Sequence, residues 1–178
     1  MENKTTYCAF IDVKKAYDRV WRDGLWKRLF DVGVNGKMWR VVKEMYREVK
    51  SCVMVDGEQT EWFDTDMGVR QGCVISPILY SVFINGFAKQ LINRGVGGVR
   101  VAVDLLRILL FADDIVLFAE DAHGLQEMLD VLEKYARKWR FEVNVKKSKV
   151  MVCGPKELRE GKDAGWKFNG EEVERVAQ

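Results

Sequence analysis

Apolar and polar residues along the chain fall into blocks that predict short strands and amphipathic helices. Residues 7–13 are mostly apolar and have polar flanks, which predicts a buried strand that ends at Asp12. A helical face with an end near Gly33 follows, and it comprises Leu25, Trp26, Leu29 and Phe30. Asp12 therefore lies between the first predicted strand and the first predicted helix.

A second helical segment spans residues 37–50 and has two contrasting faces. Its apolar face comprises Trp39, Val42, Met45, Tyr46 and Val49. Its opposite face comprises Lys37, Arg40, Lys43, Arg47 and Lys50. A basic stripe of this kind can follow a nucleic-acid backbone. Charged stripes are more often solvated faces, so we rank nucleic-acid contact second.

Turn residues divide the middle of the chain. Residues 51–63 predict a hairpin with Asp56-Gly57 as its turn. The pair Ser76-Pro77 combines a hydroxyl N-cap with a proline, and it predicts the start of a helix that ends near Asn93. Residues 99–111 and 115–120 predict two strands, with residues 112–114 at the turn between them.

The last third predicts one long helix and several short strands. The helix has a continuous apolar stripe of Leu125, Met128, Leu129, Leu132, Tyr135, Ala136 and Trp139. Residues 141–143 and 149–153 predict strands, and residues 166–168 and 172–176 predict a hairpin around Asn169-Gly170. This order of elements predicts an α+β fold, an antiparallel sheet with helices packed on one face.

Composition and charge narrow the class of protein. The 178 residues are 48% hydrophobic, which is typical of one folded domain. The net charge of +2 argues against a protein that is basic all over, although a local basic face is still allowed. Four scattered cysteines and the single histidine, His123, give no zinc-ligand pattern, and we expect His123 at an exposed helix start. Reduced cysteines, with no signal peptide or membrane-spanning stretch in the sequence, predict a location in the cytoplasm or nucleus.

Two adjacent aspartates, Asp113 and Asp114, interrupt the apolar stretch of residues 105–118. Ionised carboxylates in apolar surroundings are unfavourable unless a cation or proton compensates them, so a hard divalent cation is our leading hypothesis. An ordinary polar turn also explains the pair, and a helix N-cap explains Asp12. If the fold brings Asp12 to this turn, three carboxylates can hold two Mg²⁺ ions for an in-line phosphoryl displacement.

Four motifs, taken together, resemble the palm of reverse transcriptases in order and spacing. They are residues 9–20 (AFIDVKKAYDRV), 68–77 (GVRQGCVISP), 111–114 (FADD) and 144–148 (NVKKS). The second and third are most similar to those of non-LTR (LINE-type) retrotransposon enzymes. The resemblance implies a ferredoxin-like palm that copies RNA into DNA with two Mg²⁺ ions, or with Mn²⁺. It implies an RNA template, a DNA primer and deoxynucleoside triphosphates as partners, and no membrane.

The resemblance also implies roles for the acidic residues and for one tyrosine. Asp12 and Asp113 would be the main metal ligands, with Asp114 beside them. Tyr17 would be a steric gate, because a rigid ring under the sugar leaves no room for a 2′-hydroxyl. From spacing alone, we would instead assign Tyr17 to core packing.

Further roles follow for the remaining motif residues. Gln71 and Gly72 would line the nucleotide pocket, where glycine permits close backbone approach. Arg70 would bind substrate phosphate or pair with an acidic neighbour. Lys147 would approach the pyrophosphate leaving group, although a solvated surface lysine is nearly as good an explanation. Asp18 also matches the family, and we assign it no role beyond a cap or an ion pair.

The motifs predict the domain organisation as well. Residues 1–153 would form the palm, with residues 51–63 as part of a fingers-proximal hairpin, and residues 154–178 would form a linker and an incomplete hairpin. Because upstream fingers and a downstream thumb are not in the sequence, we expect a truncated palm that is inactive by itself. The alternatives are a non-catalytic remnant that binds nucleic acid and a nucleotidyl cyclase, whose characteristic turn motif the sequence lacks.

Overall fold

The structure is a computed structural model that describes residues 5–155 and 165–177. The chain forms two compact units. The sheet unit comprises residues 1–15 and 84–178, and the helix–hairpin unit comprises residues 16–83. Within the described residues, no helix is both long and apolar enough to cross a membrane.

Four helices and thirteen short strands make up the described part of the chain. The helices are α1 (Arg22–Asp31), α2 (Gly36–Glu44), α3 (Ser76–Arg94) and α4 (Ala122–Trp139). The strands are β1 (Thr6–Ile11), β2 (Lys50–Ser51), β3 (Met54–Val55), β4 (Glu58–Gln59), β5 (Phe63–Asp64), β6 (Val99–Val101), β7 (Asp104–Leu106), β8 (Ile108–Phe111), β9 (Asp114–Ala119), β10 (Lys149–Cys153), β11 (Lys167–Phe168), β12 (Glu171–Glu172) and β13 (Arg175–Val176).

The main sheet of the sheet unit has the strand order β13-β10-β1-β9-β8. Strand β1 pairs antiparallel with both β9 and β10, and β8 pairs antiparallel with β9. Strand β13 runs parallel to β10. The predicted α+β fold with a largely antiparallel sheet is therefore confirmed.

Helix α4 packs on one face of this sheet, against β1 and β9. All seven residues of its predicted apolar stripe are buried. The strands meet them with alternate buried residues, Ala9 and Ile11 on β1 and Ile115 and Leu117 on β9. Each such leucine or isoleucine contributes about 1.5–3 kcal/mol when fully buried. The other face of the sheet is more open, since Phe10 is 41% exposed.

The helix–hairpin unit confirms most, but not all, of the predictions for its residues. Three of the four apolar residues predicted for the first helix are buried, whereas Phe30 is 63% exposed. The prediction for Phe30 is wrong because Phe30 lies about 100° around the helix from Leu29, at the edge of the buried face that Leu25 and Leu29 form. Helix α2 ends at Glu44 rather than near residue 50, and Glu48 takes a left-handed φ of 51° that ends any helical continuation. Asp56 and Gly57, at φ 51° and 85°, form the predicted hairpin turn.

Two predicted strands of the sheet unit are wrong. Residues 99–111 form three strands rather than one, because Ala102 takes a left-handed φ of 54° at the turn of the β6–β7 hairpin. Residues 141–143 form only an isolated bridge between Val143 and Val13. The hairpin around Asn169-Gly170 is confirmed as β11–β12, and β13 then joins the main sheet. Most of the predicted linker, residues 156–164, lies outside the described residues.

Candidate active site

The ends of β1 and β9 bring two of the predicted aspartates together. The antiparallel register of these strands ends with Ile11 opposite Ile115. The pairing ends there, and Asp12 and Asp114 are the next residues at this end of the two strands: Asp12 follows Ile11, and Asp114 precedes Ile115. Because Ile11 and Ile115 are buried towards α4, alternation places both carboxylates on the open face of the sheet. Asp12 is half-buried there, and Asp114 is exposed.

The third aspartate, Asp113, lies in the tight turn between β8 and β9. Phe111 pairs with Asp114, so Ala112 and Asp113 form a two-residue hairpin loop. Ala112 has a left-handed φ of 50°, a conformation that normally favours glycine. The turn therefore fixes Asp113 beside Asp114 at the same edge of the sheet.

Solvent exposure corrects the electrostatic premise for Asp113 and Asp114. Both are exposed, and Phe111 next to them is 80% exposed. The expectation that they lie in apolar surroundings is wrong, because the hairpin projects its tip, apolar residues included, into solvent. Since Asp113 and Asp114 are solvated, burial of their charges does not indicate a bound cation. The prediction of a metal ion depends instead on how near the three carboxylates lie to one another.

A turn at residues 144–148 is tied to the backbone of Asp12. The N–H of Asp12 donates to Ser148 Oγ at 3.1 Å, and Ser148 Oγ donates to the carbonyl of Asn144 at 2.9 Å. The N–H of Asn144 donates in turn to the carbonyl of Asp12 at 2.8 Å. Lys147 is exposed in this turn, and its N–H donates to the Asn144 carbonyl at 3.1 Å. The motif at residues 144–148 thus lies beside Asp12, and the role of Lys147 at the pyrophosphate is still a prediction.

The other predicted site residues lie in the helix–hairpin unit. Tyr17 is half-buried and stacks on Tyr80, with ring centroids 5.0 Å apart and planes at 21°. Gln71 is exposed and donates from Nε2 to Asp18 Oδ1 at 2.8 Å. Gly72 is exposed next to it, with a left-handed φ of 79°. Tyr17 therefore combines the predicted core packing with a partly accessible ring.

An arginine that the sequence motifs did not single out orders the loop before Gln71. Arg22 donates to the carbonyls of Gly68 at 2.9 Å and Met67 at 3.0 Å, and it also donates to the carbonyl of Thr65. Its guanidinium lies 5.3 Å from the ring centre of Tyr46, and burial lowers the pKa of Arg22 below its ordinary value. The sequence offered one signal, an arginine at the start of α1 among mostly apolar neighbours.

Arg70 is exposed in the same loop, and its predicted contact with phosphate or an acidic neighbour is still a prediction. Its guanidinium lies 5.9 Å from the ring centre of Tyr46, on which Arg22 also packs. Two cations at one aromatic ring keep the loop close to Tyr46.

The aspartates at the end of the sheet suit a hard cation such as Mg²⁺. Within the described residues, no group of three or more His, Cys, Asp or Glu side chains lies close enough together to hold a metal ion. Mg²⁺ does not need such a cage, since it commonly takes one or two carboxylates and completes its shell with water and substrate phosphates. Asp12, Asp113 and Asp114 carry carboxylate oxygens of the type that Mg²⁺ prefers, and their role as its ligands is still a prediction.

Comparison with known proteins gives the family. The profile of the family described as reverse transcriptase (RNA-dependent DNA polymerase) matches residues 1–173. The chain belongs to the reverse transcriptase family. The chain is 33% identical over 157 residues to the RNA-directed DNA polymerase from mobile element jockey of Drosophila melanogaster, covering 83% of this chain and 16% of that protein.

A second relative of the chain comes from a retrotransposable element. The Pol polyprotein from the type-1 element R2 of Nasonia vitripennis is 29% identical over 155 residues, which is 87% of this chain and 15% of the relative. The likeness to a non-LTR retrotransposon enzyme is confirmed. The chain spans about one sixth of the length of these relatives, 16% and 15%.

Solved telomerase structures share the fold of this chain. The apo telomerase from Candida tropicalis, truncated from its C-terminal domain, matches with a TM-score of 0.64 and 18% identity, covering 94% of this chain and 33% of that one. The Candida albicans telomerase in complex with a fragment of telomeric RNA matches at 0.62 and 13%, covering 94% and 29%. At these identities the likeness concerns the fold, and it confirms the α+β palm.

Proposed function

We propose that this reverse transcriptase chain carries the catalytic centre for RNA-templated DNA synthesis. The observation that supports this most is the pairing of Ile11 with Ile115, because Asp12 and Asp114 are the next residues at that end of β1 and β9, and Asp113 lies in the adjoining turn. Asp12, Asp113 and Asp114 would hold two Mg²⁺ ions, which would stabilise the attacking and leaving oxygens of an in-line displacement. Residues 1–153 would act as the palm of the polymerase.

The remaining chemistry is bond making and breaking at one phosphorus atom. The 3′-hydroxyl of a DNA primer attacks the α-phosphate of a deoxynucleoside triphosphate, and the bond to pyrophosphate breaks. Lys147, exposed in the turn tied to Asp12, would neutralise or protonate the departing pyrophosphate. Tyr17 would exclude the 2′-hydroxyl, and Gln71 and Gly72 would line the nucleotide pocket.

Primer extension on an RNA template tests this function. The chain matches only part of its relatives, so the test uses a chimera in which this chain replaces the matching segment of the jockey polymerase. We call this chimera the grafted polymerase. We expect extension by the grafted polymerase in Mg²⁺, and a loss of roughly a hundredfold or more with Asp113→Asn. Asp104→Asn, which changes an exposed aspartate of β7, is the matched control and should extend normally. Equal extension by Asp113→Asn and Asp104→Asn would overturn the assignment.

Binding of nucleic acid without turnover is the second candidate function. Lys37, Arg40 and Lys43 are all exposed along α2, and Lys43 lies over the Trp39 ring at 5.0 Å. These residues offer positive charge and an aromatic surface for a single strand. This function predicts salt-sensitive RNA binding that Asp12→Asn leaves unchanged, with no primer extension by the grafted polymerase.

A further inference from the structure

The hydrogen bond between Gln71 and Asp18 fixes which group of the glutamine faces outward. Gln71 donates from Nε2 to Asp18 Oδ1 at 2.8 Å. An ionised carboxylate can only accept hydrogen bonds, whereas an amide carries an NH₂ donor at one end and a carbonyl acceptor at the other. The NH₂ group therefore faces Asp18, and the carbonyl oxygen Oε1 is the end of the amide that can accept a hydrogen bond from a ligand.

Backbone contacts hold the segments of these two residues together. The N–H of Gly68 donates to the carbonyl of Val20, and the N–H of Val69 donates to the carbonyl of Tyr17, both at 2.8 Å. Gly68 lies so close that a Cβ atom there would be 2.6 Å from the carbonyl oxygen of Asp18. Because the backbone already positions both segments, the hydrogen bond between the exposed side chains costs little conformational entropy beyond that of fixing the two side-chain rotamers.

We propose that Asp18 is a positioning residue for Gln71 and holds its amide with the carbonyl oxygen outward. Gln71 then meets the incoming deoxynucleotide as a hydrogen-bond acceptor, and its ligand is a donor group on that nucleotide. The inference rests on the proposed function, which puts Gln71 in the nucleotide pocket. It gives Asp18 a role besides the cap or ion pair that its sequence position indicates.

A double-mutant cycle in the grafted polymerase tests the link between the two residues. We expect Asp18→Ala to raise the KM for deoxynucleotide about three- to tenfold with little change in kcat, the loss expected for one hydrogen bond. The double variant Asp18→Ala/Gln71→Ala should be no worse than Gln71→Ala, because Asp18 acts through Gln71. Asp18→Asn keeps an acceptor and should recover part of the loss, and the control Glu58→Ala, on an exposed hairpin residue, should change nothing.

Two outcomes separate this inference from the proposed function. If the double variant of an active polymerase raises the KM by the product of the two single effects, Asp18 does not act through Gln71. That result overturns the inference and leaves the proposed function intact. If the grafted polymerase does not extend primers at all, the proposed function is wrong, and the inference that rests on it is wrong as well.

Amide hydrogen exchange, measured by NMR on the chain itself, tests the hydrogen bond without turnover. The Gln71 side-chain NH₂ should exchange more slowly in the wild type than in Asp18→Ala, and equal rates overturn the hydrogen bond.

Discussion

Ser148 Oγ accepts the backbone N–H of Asp12 at 3.1 Å, across 136 residues of sequence. Ser148 is fully buried, and its hydroxyl also donates to the carbonyl of Asn144, so both its donor and its acceptor capacity are used. The serine at the end of the motif of residues 144–148 thereby anchors the strand end that carries a proposed metal ligand. These two hydrogen bonds give a physical reason for a small hydroxyl side chain, Ser148, directly after Lys147.

Ser148→Ala should destabilise the sheet unit. It leaves the Asp12 N–H without its partner in a partly buried setting, which costs about 1–3 kcal/mol of unfolding free energy. Urea denaturation of the wild type and the variant measures the difference. Ser81→Ala, which removes an exposed hydroxyl from α3, is the control and should change stability by less than about 0.5 kcal/mol. Equal stabilities of Ser148→Ala and wild type would show that the hydrogen bond is not formed.

Gly68→Ala should destabilise the helix–hairpin unit more than Gly57→Ala does. Both glycines have a left-handed φ, 83° and 85°, so each substitution introduces backbone strain of about 1–3 kcal/mol. A Cβ at Gly57 meets open space, whereas one at Gly68 lies 2.6 Å from the backbone oxygen of Asp18. The comparison of their urea midpoints isolates the clash. Similar midpoints for the two variants contradict the close approach of the two segments.

Tyr17→Ala should weaken discrimination against ribonucleotides in the grafted polymerase. Without the ring, the pocket accepts a 2′-hydroxyl, and we expect the ratio of kcat/KM for deoxynucleotide over ribonucleotide to fall at least tenfold. The ratio is taken within one variant, so it is insensitive to the stability lost with the Tyr80 stacking. Tyr17→Phe keeps the ring and should keep the ratio. A ratio unchanged by Tyr17→Ala removes the steric-gate role.

Cys8 should be the slowest of the compared thiols to react. Burial, together with the neighbouring Cys153 thiol, raises the pKa of Cys8 to about 12. The thiolate is the reactive form, so iodoacetamide at pH 8.5 should label half-buried Cys52 well before Cys8, as measured by mass spectrometry. Rapid labelling of Cys8 in the folded protein would contradict the raised pKa of Cys8.

The raised pKa of Cys8 also predicts a pH dependence of stability. The Cys8 thiol of the unfolded chain loses its proton near pH 8.5, whereas the same thiol in the folded protein keeps its proton to about pH 12. The free energy of unfolding should therefore decrease as pH rises from about 8.5 to 12.

The spacing of apolar residues and the turn residues predicted those elements whose signal lies within one short stretch of sequence. The apolar stripe of α4, the strand β10 and the turn at Asp56-Gly57 follow from periodicity and turn chemistry alone. Residues 99–111 misled the same reasoning, because an apolar run does not reveal where Ala102 reverses the chain. The exposure of Asp113 and Asp114 was also missed, since it depends on a hairpin tip that no other element of the described residues covers.

The candidate site was predicted residue by residue only through its resemblance to a family. Asp18 and Gln71 are 53 residues apart, and nothing in their local sequence predicts that they share a hydrogen bond. The contacts of Arg22 with three carbonyls of the 65–68 loop depend likewise on tertiary placement. Long-range polar contacts carry no periodic signal, so they emerge only from the folded chain.

The number of Mn²⁺ ions bound tests the central claim, that Asp12 and Asp113 form a two-metal centre. Electron paramagnetic resonance counts bound Mn²⁺ in the grafted polymerase with primer, RNA template and an unreactive deoxynucleotide analogue. We predict two bound ions for the wild type and for Asp104→Asn, and fewer than two for Asp12→Asn and for Asp113→Asn. Two ions bound with unchanged affinity in Asp12→Asn and Asp113→Asn would contradict the account.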